Sequence, residues 1–227
     1  MTRPRLDLSV YLITDRELCG ARGVIGTVQQ AVAGGVTMVQ YREPLAKTRA
    51  MVEEARVLAA VLRPLGVTFV VNDRVDVALA VGADGVHVGQ SDMTPADARA
   101  LLGSKAILGL SITSEADLAG SDLSLVDYLG VGPIYPTLTK TDAARPMAIG
   151  GLQSIARQTK LPIVAIGGLH AGNAADVVAA GADGIAVVSA ICAAPDAEAA
   201  TRELVEIVRG ARLAASALAS SSAGIRS

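Results

Sequence analysis

Three phrases of this chain, AGGVTMVQ at 33–40, VGADGVHVG at 81–89 and AGADGIAVV at 180–188, resemble one another, and that repetition constrains the fold more than any single residue. Each reads as a helix ended by glycine, a short turn and an apolar, β-branched run suited to a buried strand. Runs of this kind recur near 8–13, 36–41, 67–71, 84–88, 106–110, 126–131, 162–166 and 184–188, with helical spacing between them. The clearest helix spans 46–63, where Met51, Ala55, Leu58 and Leu62 make one stripe and Glu53, Glu54 and Arg56 are expected to face solvent. Thr94, Pro95 and Asp97 read as a helix start, and Pro195 opens the last helix. Near-continuous apolar strands alternating with helices imply parallel strands covered on both faces. Eight such units favour the α/β class with a single closed (β/α)8 barrel, a TIM barrel. A doubly wound sheet would carry fewer strands and a G-x-G-x-x-G after the first, where this chain has TDRELCGARG.

The length of 227 residues and the 51% hydrophobic content suit one domain, expected over 1–212, with an Ala/Ser-rich tail at 213–227 expected to be frayed helix and disorder. Aromatic residues make up 2%, which leaves almost no stacking platform for bases, and a formal charge of -2 also argues against a nucleic-acid partner. No apolar run approaches the ~20 residues of a membrane span. The opening MTRPRLDLSVYLITD enters a strand without the h-region of a signal peptide, so a cytoplasmic protein is expected. Cys19 and Cys192 are too few and too distant in sequence for a disulfide framework or metal knuckle and read as reduced thiols. Oligomeric state is not set by these patterns, and a homo-oligomer stays open.

In a (β/α)8 barrel the active site lies at the C-terminal ends of the strands. The residues just past the expected strands are Gln40, Arg42 and Glu43, then Asn72, Asp73 and Arg74, then Gln90 and Asp92, followed by Ser111 and Thr113. After the sixth strand come Thr137, Thr139 and Lys140, then Gly167 and Gly168, and finally Ser189. Asp73 and Asp92, at the ends of adjacent strands, suit Mg²⁺ carrying a diphosphate, because that ion is usually held by one or two carboxylates with water and phosphate oxygens. Singly, each has a plainer reading: Asn72 or Asp73 as the cap of a helix near Val75, Asp92 as a cap before Thr94 and Pro95.

IGGLHAGN at 166–173 and VSAI at 188–191 would present the N–H groups of Gly168, Val188 and Ser189 to a phosphate, although two glycines alone would also make a simple turn. In GVGPIYPTLTK at 130–140, Lys140 supplies a cation and Thr137 and Thr139 supply hydroxyls for a second anionic group; a lone loop lysine would read as solvated. His87 reads as packed or hydrogen-bonded within its strand, and His170 as a loop residue.

The ordered motifs QYRE at 40–43, NDRVDVAL at 72–79, GADGVHVGQSD at 82–92, GLS at 109–111, DYLGVGPIYPTLTK at 127–140, PIVAIGGL at 162–169 and GADGIAVVSAI at 181–191 resemble the thiamine-phosphate synthase family over residues 8–210. The resemblance implies a (β/α)8 enzyme that joins a hydroxymethylpyrimidine diphosphate to a thiazole phosphate, or its carboxylate, with release of diphosphate. It implies that Asp73 and Asp92 bind Mg²⁺, and that Gln40, Arg42, Asn72, Ser111 and Lys140 hold the pyrimidine diphosphate, with Arg42, Ser111 and Lys140 as the catalytic set. It also implies that Thr137 and Thr139 contact the thiazole and that Gly168, Val188 and Ser189 hold its phosphate.

One departure stands out: Pro44 occupies the place where the family pattern Q-x-R-E-K has a lysine, and either Lys47, reaching back from the helix start, or the remaining charges are expected to compensate. A related thiazole tautomerase is the nearer alternative, disfavoured because GLSITS lacks the histidine expected in its fifth-strand loop. A noncatalytic phosphate-binding barrel is the other, favoured by Pro44 alone.

Overall fold

The computed structural model describes residues 6–137, 139 and 144–223. Eight strands close into one barrel in chain order: β1 (Val10–Ile13), β2 (Met38–Tyr41), β3 (Thr68–Asn72), β4 (Gly85–Val88), β5 (Ile107–Ile112), β6 (Tyr128–Val131), β7 (Ile163–Ile166) and β8 (Gly184–Val187). All neighbours pair in parallel, and β1 closes on β8 with Val10 opposite Ile185. The helices are α1 (Arg16–Cys19), α2 (Gly23–Ala33), α3 (Thr48–Leu62), α4 (Val75–Val81), α5 (Pro95–Leu102), α6 (Glu115–Gly120), α7 (Ala148–Gln158), α8 (Ala174–Ala179), α9 (Ser189–Cys192) and α10 (Ala197–Ala223). Among the described residues, no helix is long and apolar enough to cross a membrane.

Two apolar layers hold this arrangement together. Between sheet and helices lies an aliphatic shell that includes the α3 stripe Met51, Ala55, Leu58 and Leu62, each fully or almost fully buried. Burial of one such leucine is worth about 1.5–3 kcal/mol. Glu54 does not face solvent as expected. It is half-buried and accepts hydrogen bonds from the Tyr41 hydroxyl at 2.7 Å and from Arg16 at 2.5 Å, because α3 packs over the end of β2. Inside the barrel, Tyr11, Met38, Val70, Ile107, Tyr128 and Val164 fill the interior, so the barrel is a packed core and not a pore.

The ends of the helices follow local sequence. The Thr94 hydroxyl accepts from the Asp97 N–H at 3.2 Å and Pro95 occupies the first turn of α5, as expected. α10 begins after Asp196, whose carboxylate accepts from the Ala199 N–H at 2.9 Å. It then runs past residue 212 to Ala223, through most of the tail expected to be frayed or disordered. The Ala-rich composition has the highest helix propensity of any, and Leu204 and Val208 anchor the helix on the barrel. Cys19 and Cys192 are both free and buried, and the Cys192 thiol donates to the Ile13 carbonyl at 3.7 Å.

At the N-terminal end of the barrel, the residue just before each even strand fastens that strand to its predecessor. The Thr37 N–H donates to the Val10 carbonyl, and its hydroxyl accepts from the Val10 N–H at 3.1 Å. Asp84, Asp127 and Asp183 repeat the pattern with Phe69, Leu108 and Ile163, each carboxylate accepting the facing N–H at 2.8 Å. Asp127 also pairs with Arg99 at 2.9 Å.

Candidate active site

The opposite end of the barrel opens into a cavity of about 440 Å³. Its wall brings together Gln40 and Arg42 from the end of β2, Asn72 and Asp73 from β3, Asp92 from the loop after β4 and Ser111 from β5. Thr137 and Thr139, Gly168, and Val188 with Ser189 complete the circuit. Lys140 lies outside the described residues. Glu43 and Arg74, also just past strands, turn away from the cavity. Glu43 is buried in an ion pair with Arg16 at 2.5 Å, and Arg74 pairs with Asp76 at 2.6 Å. Arg16 bridges Glu43 and Glu54 and so pins the loop that carries Arg42, and the Glu43 contact raises the affinity of its guanidinium for its proton. The Arg42 backbone is itself anchored, its N–H donating to the buried Thr14 hydroxyl at 3.0 Å. Lys47 stands exposed at the start of α3 and does not line the wall. The chain leaves the barrel toward α3 before reaching it.

The two aspartates differ in how they are held. Asp73 takes a left-handed backbone conformation, φ 57°, and receives a 2.5 Å hydrogen bond from Asn72 Nδ2. Neither residue caps α4, which has Arg74 at its N-cap and no side-chain cap. A non-glycine residue at positive φ is uncommon, and such strain gathers at functional sites. Asp92 closes its own turn by accepting from the Gly89 N–H at 2.9 Å. Among the described residues, no three His, Cys, Asp or Glu side chains converge as a self-contained metal cage. Two carboxylates on one cavity nevertheless fit Mg²⁺, which takes few protein ligands and completes its shell with water and substrate phosphate oxygens.

At the far side, Gly168 has φ 65°, which glycine adopts without steric cost, and its carbonyl accepts from Asn173 at 3.0 Å. Val188 and Ser189 begin α9, where first-turn N–H groups have no intrahelical acceptor. The Thr139 N–H donates to the Thr137 hydroxyl at 3.3 Å. His170 is an exposed loop residue whose Nδ1 accepts from the Gly172 N–H.

Sequence reasoning missed part of the cavity. Asp117 lines it and fixes Thr113, accepting from its N–H at 2.8 Å and its hydroxyl at 2.6 Å. Burial pushes the Asp117 carboxyl up, yet hydrogen bonds from Thr113 and Ser114 outweigh this and hold it below the ordinary carboxylate range. The spacing Ser114-x-x-Asp117 was an available signal, since the Ser114 hydroxyl caps α6 by accepting from the Asp117 N–H.

The floor was missed as well. Gln40 Nε2 donates to the Tyr11 hydroxyl at 2.5 Å, Tyr11 and Tyr128 share a 2.9 Å hydrogen bond, and Tyr128 meets His87 Nδ1 at 2.9 Å. His87 Nε2 then meets Ser111 Oγ at 2.9 Å. Burial pushes both phenols up, so they stay protonated.

Comparison with known proteins agrees with this geometry. The family model described as thiamine monophosphate synthase matches residues 10–191. The chain is 55% identical to the thiamine-phosphate synthase of Azorhizobium caulinodans over 206 residues, 91% of this chain and 97% of that one. It is 56% identical to the thiamine-phosphate synthase of Xanthobacter autotrophicus over 212 residues, 93% of this chain and all of the relative. The solved thiamine phosphate pyrophosphorylase from Pyrococcus furiosus superposes with a TM-score of 0.83 at 40% identity, covering 90% of this chain and 97% of that one. A 3-hexulose-6-phosphate synthase, at TM-score 0.65 and 18% identity, shares the barrel fold alone.

Proposed function

The chain belongs to the thiamine monophosphate synthase family, and its activity is that of a thiamine-phosphate synthase; from that premise we propose that the cavity joins an aminopyrimidine diphosphate to a thiazole phosphate with the residues around it in the following roles. Arg42 and Lys140 are the cations for the diphosphate, and the Ser111 hydroxyl and the amides of Gln40 and Asn72 complete its grip. Asp73 and Asp92 would hold Mg²⁺, which when bound neutralises charge on the diphosphate and favours its departure. Thr137 and Thr139 position the thiazole ring, and the N–H groups of Gly168, Val188 and Ser189 bind its phosphate.

The bond between the pyrimidine methylene carbon and the diphosphate oxygen breaks with its electron pair leaving on the diphosphate. The thiazole nitrogen lone pair then forms the new carbon–nitrogen bond. No proton has to be moved, so the residues act by preorganised charge and by holding two reactants within reach. The observation that carries this reading is that one cavity collects the Arg42 guanidinium, the Asp73 and Asp92 carboxylates, hydroxyl and amide side chains and the backbone of Gly168, Val188 and Ser189 from seven strand ends, β2 to β8.

The test is to incubate the purified chain with both substrates, with Mg²⁺ or with chelator, and to follow thiamine phosphate and diphosphate. Metal-dependent, equimolar formation of both is expected. Product formation that is unaffected by chelator would remove the role given to Asp73 and Asp92.

A further inference from the structure

A continuous chain of hydrogen bonds runs beneath the cavity: Gln40, His87 and Ser111 line the wall, and Tyr11 and Tyr128 link them from the buried barrel interior. We propose that Tyr11, Tyr128 and His87 are positioning residues that act as one polarised relay, fixing which face Gln40 and Ser111 turn toward a bound aminopyrimidine diphosphate. The proposal rests on the synthase reading for its ligand, and on geometry alone for the relay.

The polarity follows from counting protons. Gln40 Nε2 donates to the Tyr11 oxygen. A phenol has one proton to give, so that of Tyr11 goes to Tyr128 and that of Tyr128 to His87 Nδ1. An accepting Nδ1 places the proton of the neutral imidazole on Nε2, which donates to Ser111 Oγ. Ser111 is then an acceptor within the relay, and its own hydroxyl proton is released toward the cavity. With Gln40 donating, any other arrangement strands a buried phenol proton, which is costly.

Reversing the Gln40 amide would reverse every link and commit the Ser111 proton to His87. The two ends are therefore coupled across the barrel. When Gln40 offers Oε1 to the cavity, Ser111 offers a donor. An amino group on the ligand at one end thus favours an anionic oxygen at the other, which is the chemistry of an aminopyrimidine diphosphate and not of an oxo-pyrimidine lacking that amine.

Two strand glycines make room for the relay. A Cβ on Gly109 of β5 would lie 2.2 Å from Tyr128 Cζ and 2.4 Å from His87 Nδ1, and one on Gly130 of β6 would lie 2.9 Å from His87 Cε1. Neither glycine has a positive φ, so backbone conformation does not demand it. The ring pair does.

The test begins with the full chain labelled with ¹⁵N-histidine, using His170→Asn to assign the signals of His87. A pyridine-like Nδ1 and a pyrrole-like Nε2 are expected at His87, relaxing to a mixture of tautomers in Tyr128→Phe. A pyrrole-like Nδ1 in the unaltered chain overturns the polarity assigned here, and a tautomer indifferent to Tyr128→Phe overturns the relay itself.

Kinetics supply the second arm. Tyr11→Phe and Tyr128→Phe should each lower kcat/KM for the pyrimidine diphosphate about 10-fold while leaving KM for the thiazole phosphate within about 2-fold. Because the links act as a unit, the double variant should be no worse than either single one, whereas a multiplied loss of about 100-fold would overturn the proposal. If the unaltered chain formed no thiamine phosphate, the synthase reading would fail while the tautomer still decided the relay.

Discussion

The two ends of the barrel use the same side chain for opposite purposes. At the N-terminal end, Asp84, Asp127 and Asp183 are paired with the N–H groups of neighbouring strands, and Thr37 does the same with its hydroxyl. At the C-terminal end, Asp73 and Asp92 line an open cavity, and Asp73 does so from a left-handed backbone conformation. The first group spends its hydrogen-bonding capacity inside the fold. The second places its carboxylates on the wall of a cavity, Asp73 beside Asn72 and Asp92 across its own turn from Gly89. Position along the strand, not residue type, assigns the role, as expected when stability and chemistry are segregated to the two faces of a barrel.

Substitutions at the two ends should therefore separate activity from stability. The largest effect is expected for Asp73→Asn, with kcat/KM for thiamine phosphate formation lower by about 100- to 1,000-fold. Its melting temperature should hardly change, because asparagine also tolerates positive φ. Next is Asp127→Ala, which deprives the Leu108 N–H and Arg99 of the carboxylate that both now contact. Unfolding in urea should show a loss of about 2 kcal/mol, with turnover per folded molecule intact.

A smaller effect sharpens the comparison at Asp117, whose folded carboxyl lies below its ordinary value. A depressed carboxylate stabilises the fold above the unfolded value and loses that contribution as pH falls through the folded one. Urea unfolding of Asp117→Asn should accordingly differ from the unaltered chain near neutrality and converge with it below about pH 4. Lys47→Ala should have the smallest effect, with KM for the pyrimidine diphosphate within about 2-fold, since Lys47 is not part of the cavity wall.

Much of this was legible in the sequence, for identifiable physical reasons. Eight apolar runs and the α3 stripe have periodicities that depend only on local geometry, and the polar residues past each strand follow from the barrel once it is inferred. Features that depend on contacts between strands were not legible. Thr37, Asp84, Asp127 and Asp183 act through register, which places each beside a particular residue of the preceding strand. Tyr11 and Tyr128 sit in hydrophobic runs and read as core, which they are, but their hydroxyls meet only because β1 and β6, which do not pair, both send these side chains into the barrel interior. His87 was expected to be packed or hydrogen-bonded, and it is, with its partners decided by glycines on the next two strands. The solvent-facing reading of Glu54 failed for a related reason: Tyr41 and Arg16 approach it from other elements. The helical part of the tail follows from its Ala-rich composition and from continuation of an anchored helix, which adds one hydrogen bond per residue without a new nucleus.

The most direct test is the initial rate of thiamine phosphate formation by Asp73→Asn and Asp127→Ala, measured side by side at a temperature where both are folded. The expected result is a loss of two to three orders of magnitude in the first and a rate close to that of the unaltered chain in the second. Comparable losses in both, or a fully active Asp73→Asn, would contradict the division of the barrel into a structural end and a catalytic end.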